Sequence, residues 1–368
     1  MLPVPGHPAG TLHYVPRDEV IRACADVDVV EVVAAALREH AAGSTVLPPE
    51  AAMRWRAPDG AAARSLAMPG ALPGGDDLPG RNHLPGRDYL AAGIKIINGC
   101  LSNPDRGLAR AQGLVLLFDP ATAWPSAIME AAHISALRTA AVSALTADRL
   151  ARGRPARLSL IGCGSLARAH LELLLPRLPG LRSVALYDTN PGRCRSLAQD
   201  LRRQLAGRGP EVAESPGPRE CVTGSDLIIT TTTVTTSYLR HDWLSPGTLI
   251  LHVSLDDVLP DVVQRADLLV VDDWELVSDD RQRLLGRLYQ AGRLRSPGGT
   301  YCPGSAPDPA ARAVDTTLGD ILAGYHPGRG SDREIILSNP FGMSLLDIAV
   351  ARSILPIAIR NGARELPR

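Results

Sequence analysis

An α/β fold with a doubly wound parallel sheet, inserted into a second α+β domain, is predicted by three features of the chain. Short apolar runs alternate with helical patterns across its middle third (RLSLIG, SVALYD, DLIITTTT, TLILHVSL, DLLVVDD). A glycine turn, Gly162-Cys163-Gly164-Ser165-Leu166-Ala167, joins the first run to a helix. The 368 residues suit two domains. Residues 1–145 with 320–368 are assigned to one domain and residues 146–319 to the other.

Taken in order, residues 17–42 read as a helix, with Val20, Ile21, Val30, Val32 and Val33 recurring up to Gly43. Residues 45–70 read as short strands with turns at Pro48-Pro49 and Pro58-Asp59-Gly60. LPGG, LPGR and LPGR mark a Pro/Gly-rich surface loop over 70–91, with an insert at 72–87. Strands follow at 93–98 and 113–119, then a long helix over about 128–151. RLSLIGCGSLARAHLELLL is strand, turn and helix. SVALYD is the second strand, followed by a helix over 191–206. DLIITTTT, TLILHVSL and DLLVVDD are the remaining parallel strands. From about 315 come a helix (TTLGDILAG), a strand (EIILSN) and a closing helix (LLDIAVARSILPIAIRNG).

Formal net charge is zero, with no acidic or basic block, so nothing points to nucleic acid or to a membrane surface. No apolar run reaches the roughly eighteen residues of a membrane span, and MLPVPGHPAG lacks the pattern of a signal peptide. The six cysteines form no CxxC pair. A reduced, cytoplasmic setting without disulfides or bound metal is expected.

Of the 39 basic residues, all but Lys95 are arginine. A chain so biased uses arginine wherever a surface cation will do. Lysine differs in that its compact ammonium can lose a proton when desolvated. GIKII also sets Lys95 among isoleucines in a strand, not on a solvated helix face.

The glycine turn matches G-x-G-x-x-A, the dinucleotide fingerprint of a Rossmann domain. Gly162 permits the tight turn, Gly164 lets backbone approach a pyrophosphate, and Ala167 lets helix pack on strand. With Ser165 and Leu166 these residues are the candidate phosphate cradle, at a helix N-terminus that favours anions. The next strand ends in Asp188, placed to accept hydrogen bonds from the adenosine ribose. A carboxylate there repels the extra phosphate of NADP, which favours NAD, although Arg193 and Arg195 lie close by. The run 230–236 ends a strand, so Thr231, Thr232 and Thr233 are candidates for ribose or nicotinamide contacts. Threonine is equally a plain strand former.

An amino-acid substrate needs cations for its carboxylates and a group that manages a proton or water. Arg54, Arg56, Lys95 and Arg138 are the candidate cations. Asp256 and Asp257, after LILHVSL, are the candidate acids or bases, with the choice between them open.

GIK at 93–95, ISALRTAAVSAL at 134–145, LIGCGSLA at 160–167 and LGDILAGYHPGR with SDREIILSNPFGM over 318–343 resemble the ornithine cyclodeaminase/mu-crystallin family, in the family's order and across most of the chain. The resemblance implies that Lys95 and Arg138 bind the substrate carboxylate, assisted by Arg54, and that Thr139 lies by the cofactor phosphates. It also implies a homodimer formed through the non-Rossmann domain. The family's cyclodeaminases carry Asp-x-Pro-Gly-Lys after a Rossmann strand, where this chain has Val253-Ser254-Leu255-Asp256-Asp257. RSLAMPGAL, NPDRGLARAQG, VSLDD and SNPFGM are similar to a branch that oxidises N-(2-amino-2-carboxyethyl)-glutamate to 2,3-diaminopropionate and 2-oxoglutarate for siderophores and peptide antibiotics. The alternatives are ornithine cyclodeamination, ketimine reduction or amino-acid dehydrogenation, and, from another class, a non-catalytic NAD(P) binder of the mu-crystallin kind.

Overall fold

The structure, a computed structural model, describes residues 11–73, 91–207 and 209–366. The chain divides into two compact units, residues 1–138 with 343–368 and residues 139–342.

In the first unit, strands β1 (Leu12–Val15), β2 (Ala51–Arg56), β3 (Ala62–Leu72), β4 (Ala91–Cys100), β5 (Ala111–Phe118) and β6 (Pro125–Glu130) join the strand Arg364–Leu366. The seven strands run in the order Arg364–Leu366, β1, β6, β5, β4, β3, β2. One face carries Val15, Leu66, Met68, Val115, Leu117 and Met129, all buried. The helix Ser344–Arg360 packs on that face against β3, β4 and β5. Helices α1 (Arg17–Ala25) and α2 (Val29–Ala41) pack on it in turn.

The single helix expected over 17–42 is therefore two. Asp28 accepts hydrogen bonds from the Val30 and Glu31 amides and starts a second helix after the break. PSAIME, expected to open the long helix, is β6 instead, paired with β5 and with β1. Helix α3 (Ala131–Leu150) begins only after Glu130, whose carboxylate accepts from the Ala132 and His133 amides. The short strands expected up to residue 70 merge at their end into β3, which continues through Pro69 and Gly70 opposite Ile94 and Gly93. The Pro/Gly-rich loop starts no earlier than Pro73. Its positions 74–90, and with them most of the insert at 72–87, lie outside the described residues.

The second unit holds β7 (Arg157–Ile161), α4 (Ser165–Leu174), β8 (Ser183–Tyr187), α5 (Pro191–Leu205), β9 (Glu211–Glu214), β10 (Leu227–Thr230), β11 (Leu249–His252) and β12 (Leu268–Val271). With Thr316–Thr317 and Ile336–Ser338 they form an eight-stranded sheet, in the order Thr316–Thr317, β12, Ile336–Ser338, β11, β10, β7, β8, β9. Every pairing is parallel. β7, β10, β11 and β12 read as continuous apolar runs because a parallel sheet is covered on both faces. The expected boundary at 319 moves to 342 for a physical reason. EIILSN supplies a strand that bridges β11 and β12, so removing it would split the sheet. No helix among the described residues is long and apolar enough to cross a membrane.

Candidate active site

The chain leaves β7 for β8 and β9 on one side, then returns to β10 on the other. Such a reversal opens a crevice at the carboxyl ends of β7 and β10. Gly162, at the end of β7, has φ +92°, a conformation open to glycine. A Cβ there would stand 2.9 Å from the Thr231 carbonyl carbon. Gly164 is the N-cap of α4, and no side chain caps that helix. A Cβ built on Gly164 would meet nothing within 4 Å. Gly164 and Ser165 are exposed and Leu166 is half-buried. An uncapped N-terminus beside open space leaves backbone N–H groups for an anion, which fits a dinucleotide pyrophosphate.

Asp188 closes the far side of this turn. Its carboxylate accepts from the Cys163 amide at 2.7 Å and the Asn190 amide at 2.8 Å, which fixes it at the end of β8. Thr231 Oγ1 donates to the Gly162 carbonyl at 2.8 Å and Thr232 Oγ1 to Asp257 at 2.8 Å. These two hydroxyls brace the crevice, and only Thr233 is exposed.

The two aspartates after β11 separate cleanly. Asp256 is paired through both oxygens with Arg287, at 3.1 and 2.8 Å. Asp257 is wholly buried. Its carboxylate accepts from Thr232, from Tyr238 at 2.6 Å and from Ser254, while its amide donates to His252 Nε2 at 3.1 Å. Burial alone would raise the Asp257 carboxyl. The nearby His252 ring, with hydrogen bonds from Ser254 and Tyr238, outweighs it and holds the group below its ordinary value. Both aspartates, expected as the candidate acids or bases, are thus buried and hydrogen-bonded within the second unit. Asp257 organises the loop after β10, and Asp256 anchors Arg287.

In the first unit, Lys95 stands on the core face of β4 and is 1% exposed. Its Nζ donates to Asp347 Oδ2 at 2.6 Å. Arg138 Nε lies 3.3 Å from the same oxygen. Ser135 Oγ lies 3.5 Å from Lys95 Nζ and 3.4 Å from Arg138. Burial pulls the Lys95 ammonium down to about 8, with Arg138 acting in the same direction and Asp347 opposing both.

Arg54 and Arg56 do not join this group. They lie on β2, the exposed edge strand, where Arg54 faces Arg64 and Arg56 donates to the Gly60 carbonyl. Arg54 is two strands away from Lys95 and four residues along from the Met68–Lys95 rung, roughly 16 Å by strand geometry. Thr139 follows Arg138 on α3 and is half-buried. The residues missed are Asp347 and the partners of Asp257. Asp347 left a legible signal as the one acid in SLLDIAVA, an otherwise apolar helical run.

The model of the ornithine cyclodeaminase/mu-crystallin family matches residues 17–359. The N-((2S)-2-amino-2-carboxyethyl)-L-glutamate dehydrogenase of Staphylococcus aureus is 32% identical over 326 residues, 88% of this chain and 87% of its own. The alanine dehydrogenase of Archaeoglobus fulgidus is 27% identical over 90% of each chain. Among solved structures, CmnK superposes with a TM-score of 0.82 at 35% identity, covering 98% of this chain and 99% of its own. A family model spanning residues 17–359 and a relative 32% identical over 88% of the chain show that the chain belongs to the ornithine cyclodeaminase/mu-crystallin family.

Proposed function

We propose that this protein, an NAD-dependent oxidoreductase of its family, oxidises N-(2-amino-2-carboxyethyl)-L-glutamate to L-2,3-diaminopropionate and 2-oxoglutarate. The observation that carries the reading is the Lys95–Asp347–Arg138 cluster. It sets two cations side by side for a carboxylate, and burial brings one of them, Lys95, down to about 8. The 32% identity to the Staphylococcus aureus dehydrogenase supports the choice of substrate. The lack of Pro-Gly-Lys after β11 sets the chain apart from the cyclodeaminases. The product suits siderophore or peptide-antibiotic assembly.

The cradle residues Gly162, Gly164, Ser165 and Leu166, with Asp188 at the ribose, would hold NAD, which when bound supplies the hydride acceptor. Arg138 binds a substrate carboxylate through its guanidinium. Lys95 Nζ assists as the ammonium, then exchanges a proton as water adds to the substrate imine and the amine departs. One water enters and one proton is released, so the products are the diamino acid, the oxo acid and NADH. Asp257 keeps the loop after β10 in place and takes no proton.

The same reading includes a homodimer. The outward face of the seven-stranded sheet carries Ile94, Ile96, Leu114, Leu116 and Ile128, in register across β4, β5 and β6. The helices α1, α2 and Ser344–Arg360 all serve the opposite face. A second copy is the natural cover for such a surface.

Incubation with NAD and N-(2-amino-2-carboxyethyl)-L-glutamate tests the function. Equal amounts of NADH, 2,3-diaminopropionate and 2-oxoglutarate are expected. Protein that binds NAD and forms none of these would overturn the substrate assignment.

A further inference from the structure

Asp347 sits in a run of buried residues, Leu345, Leu346, Ile348, Ala349 and Val350, on the helix Ser344–Arg360. An ionised carboxylate there carries a desolvation cost of several kcal/mol unless it is compensated. Compensation falls on one oxygen alone. Oδ2 takes the Lys95 ammonium at 2.6 Å and faces Arg138 Nε at 3.3 Å, while Oδ1 is buried without a hydrogen-bond partner among the described residues. A carboxylate serving only to satisfy the interior would have both oxygens bonded. This one is placed by the two cations.

The charges around Lys95 come from three directions. Asp347 reaches it from the helix Ser344–Arg360, Arg138 from α3, and Glu50 from the segment before β2, with Ser135 adding a neutral hydroxyl. Of the two acids only Asp347 makes an ion pair with Lys95. Glu50 acts without contact, and its Oε2 is itself buried and has no hydrogen-bond partner among the described residues. Lys95 and Arg138 repel one another, and burial favours the neutral amine. Without Asp347 nothing in contact would hold the ammonium beside the guanidinium.

We propose that Asp347 is a positioning residue of this site, holding the Lys95 ammonium and the Arg138 guanidinium together as a two-cation carboxylate clamp. It is enclosed and touches no substrate. It acts through Lys95, by fixing where Nζ sits and by keeping it charged. The catalytic consequence rests on the reading of Lys95 given above, whereas the physical claim does not.

Because Lys95 is the only lysine, protein grown on isotopically labelled lysine reports one ε-ammonium without background. In Asp347→Asn its titration midpoint should fall by about one pH unit or more relative to wild type. It should recover towards wild type in Asp347→Glu. In turnover, the pH limb of kcat should move to lower pH by the same amount, with KM rising about tenfold at pH 8. An unmoved midpoint and limb, with only the melting temperature lowered, would overturn the proposal.

If Asp347→Asn does not fold, the wild-type protein decides. The Lys95 ammonium protons should be protected from exchange and show coupling across the hydrogen bond to one aspartate carboxyl carbon. An ammonium that exchanges like free lysine would refute the clamp. The labelled-lysine measurements need no substrate, so they stand or fall apart from the choice of N-(2-amino-2-carboxyethyl)-L-glutamate.

Discussion

On the proposed function, Lys95 would carry two demands that arginine cannot meet together. Its ammonium would bind a carboxylate, and it would exchange a proton, which needs a group that titrates near working pH. Burial, as the largest influence, brings Lys95 to about 8, and Asp347 stops it falling further. The sign of the pH dependence follows. Below about 8 the group is charged and, on that reading, binds carboxylate. As pH rises through that value the charge is lost, so KM should climb about tenfold per pH unit beyond it, measured by initial rates from pH 6.5 to 9.5. Lys95→Arg keeps the charge and cannot release the proton. It should lower kcat by about a hundredfold or more, within the range of acid–base contributions, while NAD binding by calorimetry is unchanged. An enzyme as active as wild type would remove Lys95 from proton transfer.

At the level of elements, the turn between β7 and α4 works through two glycines with opposite constraints. Gly162 is fixed by its own fold, because it combines positive φ with backbone at 2.9 Å from a would-be Cβ. Gly164 is structurally permissive, since its Cβ would enter open space. The two alanine variants should therefore part company. Gly162→Ala should lower the melting temperature by several degrees, as strained substitutions of about 1–3 kcal/mol do. Gly164→Ala should melt near wild type yet bind NAD at least about tenfold more weakly, because the added methyl fills the phosphate cradle. Equal NAD affinity in Gly164→Ala and wild type would mean that no pyrophosphate lies there.

For the molecule as a whole, the proposed homodimer would form through the outward face of the first unit's sheet. Leu114 is 41% exposed, and its neighbours across the strands, Ile96 and Ile94, share that face. A patch of this kind on a lone chain invites association. Analytical ultracentrifugation should find the wild type at twice the 39.0 kDa chain mass. Leu114→Asp should shift it to the single-chain mass, because a carboxylate at the centre of an apolar contact is left desolvated and unpaired. A wild type sedimenting as one chain would refute the dimer.

Local pattern alone determined a good deal about this protein. The period of apolar runs and the glycine turn defined the parallel sheet and its cofactor end, because a strand–turn–helix signal is contained within some thirty residues. The lone lysine among arginines was legible because composition itself made it an exception. Pairing between distant segments was not legible. PSAIME became a strand because β1 and β5 lie on either side of it, and EIILSN joined the inner sheet because β11 and β12 leave a gap. The surroundings of Asp256 and Asp257 were decided by Arg287 and by the His252, Ser254 and Tyr238 bonds, none of which adjacency in sequence reveals. Lys95 and Asp347 are 252 positions apart. A buried charge is settled by whatever opposes it in space, and only tertiary structure brings that partner within 3 Å.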